Sequence, residues 1–127
     1  PRDPVWEYFL PSIMSTLDVA ENFQQFSTQC CLVGHSHIPF VCSEMGTGFT
    51  GLQSGQEMVL AEARRVVNPG SVGQPRDGDP RAAYALYDAD ADTLTHYRVE
   101  YDVAATQAKI AAAGLPDVLA SRLALGR

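Results

Sequence analysis

Lysine is almost absent from this sequence: Lys109 is the only one, and the other eight basic residues are arginines. They form no cluster or stripe, and the formal net charge is -6. An acidic surface repels phosphate backbones, which excludes a nucleic-acid scaffold. No apolar run approaches the ~20 residues that a membrane helix needs, so no membrane partner is expected. The first residues show none of the basic, apolar and small-residue regions of a signal peptide. Cysteine is scarce too. Three cysteines cannot build a disulfide framework, and the adjacent Cys30 and Cys31 have poor geometry for bridging one another. In a Leu/Val-rich run they read as buried thiols acting as small hydrophobes, which predicts a reducing compartment and a cytoplasmic location. The chain opens at Pro1 without a methionine, so a preceding stretch is expected.

What is present suits one domain. The chain has 127 residues, 46% of them hydrophobic and 19% charged, enough for a modest core. Pro1 to Pro4 form a turn, and Asp3 is placed to cap a short helix over 5–10. A second short helix is expected over 12–17. The run Asp18-Val19-Ala20-Glu21 has the form of a capping box and predicts a third helix to about Phe26. Cys30 to Val33 reads as a strand covered on both faces. Further strands are expected at 39–42, 58–61 and 65–67, and a hairpin at 83–87 and 93–99. Asp102 and Gly114 bracket a helix over 103–113, and a last helix runs from Pro116 to about Leu125 with Val118, Leu119 and Leu123 as its apolar side.

Three motifs carry no function on inspection. Gly46 to Gly51 matches G-x-G-x-x-G, but turn residues follow where a dinucleotide site needs a helix, so a hairpin tip or surface loop is expected. Asp88, Asp90 and Asp92 lack the glycine and distal glutamate of a calcium loop and read as a solvated turn. His96 lies on the strand face opposite Tyr97 and Val99 and reads as a surface or cross-strand residue.

Two stretches remain. Gly34-His35-Ser36-His37 ends the apolar run of the first strand, and Gly34 lets the backbone approach a ligand closely. Two imidazoles one residue apart can serve one metal, or one each of a pair; the plain alternative is a polar loop with two surface histidines. Asn68 to Pro80 is rich in Pro and Gly and longer than an ordinary connection. Asn68 can fix it by hydrogen bonds to backbone. Arg76 can bind a phosphate bidentately or form a surface pair with an aspartate.

Together, Gly-His-Ser-His-Ile-Pro-Phe (34–40) and Asn-Pro-Gly-Ser-Val-Gly (68–73) resemble the calcineurin-like metallophosphoesterase superfamily, and most closely its small bacterial and archaeal phosphoesterases. The resemblance runs the length of the chain. It implies an α/β fold, a two-sheet sandwich flanked by helices, of which this chain supplies mainly the second sheet. It implies hydrolysis of a phosphate mono- or diester by a water activated between two divalent metal ions (Mn, Fe, Zn or Ni), with His35 and His37 ligating one metal each. The substrate is a phosphorylated small molecule or a phosphoprotein; Arg76 and Asn68 are candidates to bind it. Of the superfamily's ligand motifs only the last, Gly-His-x-His, lies in this chain; the Asp-x-His, Gly-Asp, Gly-Asn-His and isolated His that come before it in the superfamily do not precede it here. The resemblance therefore makes this chain a C-terminal portion, 1–127, inactive alone and completed by an N-terminal half of the same protein. The alternative is a non-catalytic binding or structural module that keeps the fold. A weaker third reading is a metal-binding regulator using the histidines with Cys30, Cys31 or Cys42.

Overall fold

The computed structural model describes residues 1–3, 5–45 and 48–127. Among these residues seven strands divide between two sheets, and helices flank them. In chain order they are α1 (Thr16–Phe23), β1 (Cys30–Leu32), β2 (Phe40–Ser43), β3 (Phe49–Gly51), β4 (Glu57–Val59), β5 (Arg65–Asn68), β6 (Ala82–Asp88), β7 (Thr93–Val99), α2 (Val103–Ala112), α3 (Asp117–Ser121) and a 3-10 turn, Arg122–Leu125. One sheet has the order β1-β5-β2-β3 and the other β4-β7-β6. Strands β1 and β5 run parallel, with Cys31 opposite Val66 and Leu32 opposite Val67, and the other described pairings are antiparallel. The α/β sandwich read from the sequence is what the chain forms.

The alternation of strand side chains explains the layers. Phe40 and Cys42 of β2 and Val66 of β5 face a helix-side core with Phe9 and Phe23. Val41 and Val67, one residue on, face a second core between the sheets with Leu52, Leu60 and Leu94. The four-stranded sheet is therefore covered on both sides. Its edge strand β1 is less enclosed than its apolar run predicts, and Leu32 is 61% exposed.

The N-terminal third departs from the helices expected of it. Asp3 does accept from the backbone N–H groups of Val5 and Trp6, both at 3.1 Å, but only a turn follows. The reason is packing. Phe9 is buried against Phe40 and Phe49, which holds 7–10 out of helical register, while Trp6 is 77% exposed. The separate helix expected over 12–17 does not form either: 12–15 are not helical, and 16–17 belong to α1. Helix α1 starts at Thr16 because the capping box lies three residues earlier than expected, with Ser15 as N-cap and Asp18 as its reciprocal partner. The helix stops at Phe23, short of Phe26. There Arg64 donates to the carbonyls of both Phe23 and Phe26 and lies over both rings, satisfying acceptors that the helix end leaves open.

Elsewhere the expectations are close. Asp102 caps α2 by accepting from Ala105 N–H, and Gly114 ends the helical segment at φ +68°. The last helix is broken into α3 and the 3-10 turn; Leu123 is buried but Val118 is exposed. Phe49–Gly51 pairs with β2 as a hairpin, and its expected tip at Gly46 and Thr47 lies outside the described residues. Asp88 closes the β6–β7 turn by accepting from the backbone N–H groups of Asp90 and Ala91. The three cysteines are free; Cys42 is buried and the other two partly so. No helix among the described residues is long and apolar enough to cross a membrane.

Candidate functional site

The two loops singled out in the sequence meet in space. Strands β1 and β5 are parallel neighbours, so the segments that follow them leave the sheet at the same edge. The first is Gly34 to His37; the second begins at Asn68. Asn68 is fully buried, and its side chain ties the loops together. Its Nδ2 donates to the Gly34 carbonyl at 3.0 Å and to the Ser36 hydroxyl at 2.8 Å. Its Oδ1 accepts from Gly70 N–H at 2.9 Å, which turns its own loop. Gly70 has φ +90°, and a Cβ there would lie 2.9 Å from Ala83 Cβ, so the loop packs at a distance only glycine allows.

The histidine loop has unusual backbone. His35 and His37 both lie in the left-handed region, at φ +66° and +60°. Ser36 N–H donates to the Gly34 carbonyl at 2.8 Å, closing a tight three-residue turn around His35. Side chains with a Cβ are uncommon at such angles, though histidine tolerates them better than most. The two imidazoles are thereby turned out of the sheet while Ser36, between them, is buried.

His37 is held by the second loop. Its Nδ1 lies 2.8 Å from the Gln74 carbonyl, and its own carbonyl accepts from Arg76 N–H at 3.2 Å. A carbonyl only accepts, so Nδ1 carries the proton and the lone pair is on Nε2. Burial holds the protonated ring below the ordinary histidine range, and the Arg76 guanidinium acts in the same direction. A neutral imidazole with Nδ1 tied to a backbone carbonyl is the form that ligates a metal through Nε2. His35 is exposed, and its ring lies against Tyr8, with centroids 4.1 Å apart. The donor set fits a metal ion but is too small for one: among the described residues no group of three or more His, Cys, Asp and Glu side chains converges. That also removes the reading in which a cysteine joins the histidines.

Arg76 lies in the same loop but forms none of the described ion pairs. The surface pair with an aspartate is not formed. Its Nε and Nη2 instead bond Gln74 Oε1, at 3.2 and 2.7 Å. Asp77 and Asp79 are taken by other arginines. Arg98, almost wholly buried, pairs with Asp77, and Arg81 with Asp79 at 2.6 Å. The Asp77–Arg98 pair fastens the far end of the loop to β7 of the second sheet, and Asp79–Arg81 braces the loop within itself just before β6.

Three contributors were missed in the sequence. Gln74 acts through its carbonyl, which no residue pattern reveals. Tyr8 sits in a segment read as helix. His96, read as a surface residue, is fully buried, and its Nε2 lies 3.2 Å from the Pro69 carbonyl, next to Asn68. Burial pushes its pKa down, so it is a neutral ring that donates through Nε2–H. The signal was there: His96 and Arg98 share a strand face with Leu94, which is core, whereas Tyr97 stacks outside on Tyr84.

Known proteins share this architecture. The model of the calcineurin-like phosphoesterase superfamily domain matches residues 13–92. The uncharacterized protein MJ0912 of Methanocaldococcus jannaschii is 40% identical over 128 residues, covering 100% of this chain and 49% of that protein. The crystal structure of a metallophosphoesterase from Sphaerobacter thermophilus is 44% identical and superposes with a TM-score of 0.91, covering 100% of this chain and 52% of that one. The hypothetical protein PH1004 from Pyrococcus horikoshii OT3 shares 25% identity at a TM-score of 0.66, over 97% of this chain and 42% of its own. The chain thus spans about half the length of these relatives.

Proposed function

This chain belongs to the calcineurin-like phosphoesterase superfamily, and on that premise we propose that it supplies two imidazole ligands, His35 and His37, to a dinuclear metal centre that hydrolyses a phosphate mono- or diester. The observation that carries the reading is the clasp on His37, which fixes the tautomer and leaves Nε2 free. In such a centre two divalent cations neutralise phosphoryl charge and make water nucleophilic at neutral pH. Imidazole suits Mn, Fe, Zn and Ni alike, so availability selects among them.

The chain's own residues have distinct roles. Asn68 is the tether that keeps both histidines at one edge of the sheet, which is also how it serves the substrate site. Arg76 brings a guanidinium that pairs with no carboxylate among the described residues, suited to a phosphoryl oxygen of a small molecule or a phosphoprotein. A dinuclear centre needs a bridging carboxylate and more donors than these two histidines. We place those in an N-terminal half of the same protein, so that the 127 residues alone are inactive. The free thiols agree with a cytoplasmic setting.

The test is metal content and hydrolysis of p-nitrophenyl phosphate and its bis-ester by the full-length protein carrying His35→Ala or His37→Ala. Each substitution is expected to lower bound metal and rate together, the rate at least about tenfold, on the scale seen when groups supporting a metal site are lost. Both variants keeping the wild-type metal content and rate would end the proposal and favour a non-catalytic module.

A further inference from the structure

We propose that Tyr8 is the positioning residue for His35: the face of its ring, in place of a hydrogen bond, sets the plane of the imidazole. The proposal builds on the reading of His35 as a ligand. The histidines are held in different ways. One ring nitrogen of His37 and one of His96 have a hydrogen-bond partner among the described residues, and neither nitrogen of His35 does. What His35 has is Tyr8, with ring centroids 4.1 Å apart and planes 31° from parallel. The other aromatic pairs of the described chain lie 5.1 to 5.9 Å apart.

Tyr8 is itself anchored. On one side of it, Glu7 is bound by the Arg2 guanidinium, at 2.8 and 2.6 Å. On the other, Phe9 is buried in the helix-side core. The stretch between two fixed residues presents the tyrosine ring toward the histidine loop, and the residue remains 38% exposed. The geometry suits a ligand. An imidazole binds a metal in its own plane, through the lone pair at the ring edge. A partner stacked on its face fixes that plane and occupies neither nitrogen. His35 needs such a support more than most residues, because its backbone sits at φ +66° in a tight turn.

The experiment compares the full-length protein with its Tyr8→Phe and Tyr8→Leu variants. The first readout is the ring-proton NMR shifts of the histidines without metal, assigned with His35→Ala; the second is Mn(II) affinity. Tyr8→Leu is expected to move the His35 resonances toward free-histidine positions, to leave those of His37 in place, and to weaken Mn(II) binding between about two- and tenfold, the range of an aromatic pair. Tyr8→Phe retains the ring and is expected to retain both properties. Unmoved His35 resonances in Tyr8→Leu would overturn the proposal. So would a Tyr8→Phe variant as impaired as Tyr8→Leu, which would assign the effect to the hydroxyl. If Tyr8→Leu fails to fold, a ring-current shift of His35 that is absent from the wild-type protein is decisive against it. A wild-type protein that takes up no Mn(II) sinks the metal reading, and the NMR comparison still decides the stacking.

Discussion

Replacing Asn68 with alanine removes the tether between the two loops, and the cost can be worked out bond by bond. The wild-type side chain makes three hydrogen bonds, of 2.8, 2.9 and 3.0 Å, in a fully buried position. Each is worth about 1 kcal/mol net; alanine leaves the buried Ser36 hydroxyl and the Gly70 N–H short of a partner, while the Gly34 carbonyl keeps its bond from Ser36 N–H. The sum is about 3 kcal/mol. At an unfolding entropy of about 2.1 cal/mol/K per residue, a chain of this length should lose ~11 °C in Tm. Thermal melting and urea titration by circular dichroism read this directly. The Asn68→Asp variant sharpens the test. Its carboxylate still accepts from Gly70 N–H but confronts the Gly34 carbonyl with a second acceptor. It should be destabilised at neutral pH and regain part of the loss in acid, where a protonated carboxyl can donate. An Asn68→Ala protein melting within about 2 °C of wild type would refute the tether, showing that water replaces all three bonds at little cost.

Two other perturbations test the same loop. Gly70→Ala meets Ala83 Cβ at 2.9 Å and Pro39 Cδ at 3.3 Å with φ at +90°, and should cost about 2–3 kcal/mol by denaturant titration. Gly73→Ala, with nothing within 4 Å of its new Cβ, should change stability by less than about 0.5 kcal/mol. At acid pH the loop should loosen through Asp79. Hydrogen bonds from Arg81 pull its pKa down to about 2, and Arg98 adds to this. A lowered carboxyl stabilises the fold above the unfolded-state pKa, near 4, and that contribution disappears as pH falls toward 2. With the side chain 27% exposed, it is worth about 1 kcal/mol after screening. Urea titrations should therefore show wild type and Asp79→Asn converging near pH 2 and separating above pH 4.

The site was more legible in the sequence than the segment that leads into it. Strands were found because alternation and apolar runs survive in short windows: Val41 and Val67 face one core while their neighbours face the other. The two loops stood out because glycine, proline and histidine have few structural uses in such density. Their meeting also follows once β1 and β5 are parallel neighbours. The N-terminal helices failed for a physical reason. Asp3 caps a first turn, but Phe9 gains more from burial beside Phe40 than from continuing it as a helix, and Asp18 serves the N-cap at Ser15 in place of being the cap itself. His96 was misjudged because a polar residue in a strand was assigned outward, although its i−2 neighbour Leu94 points in.

The backbone at the histidines carries its own argument. A left-handed conformation costs a residue with a Cβ roughly 1 kcal/mol. Glycine would adopt it freely, and this sequence has a glycine at 34, one residue too early to help. The strained positions hold His35 and His37 instead. Something must offset the strain, and the neighbours do so. Asn68 binds Gly34 and Ser36, and Gln74 and Arg76 bind His37. All four contacts come from Asn68 and the loop it opens, whose far end is fastened by the Asp77–Arg98 pair. A connection serving only to join β5 to β6 has no need of that many attachments. Their common effect is to turn two imidazoles to the same edge of the sheet. Strain held in place by buried polar contacts, with two imidazoles brought to neighbouring positions as its result, is the pattern of a preorganised site.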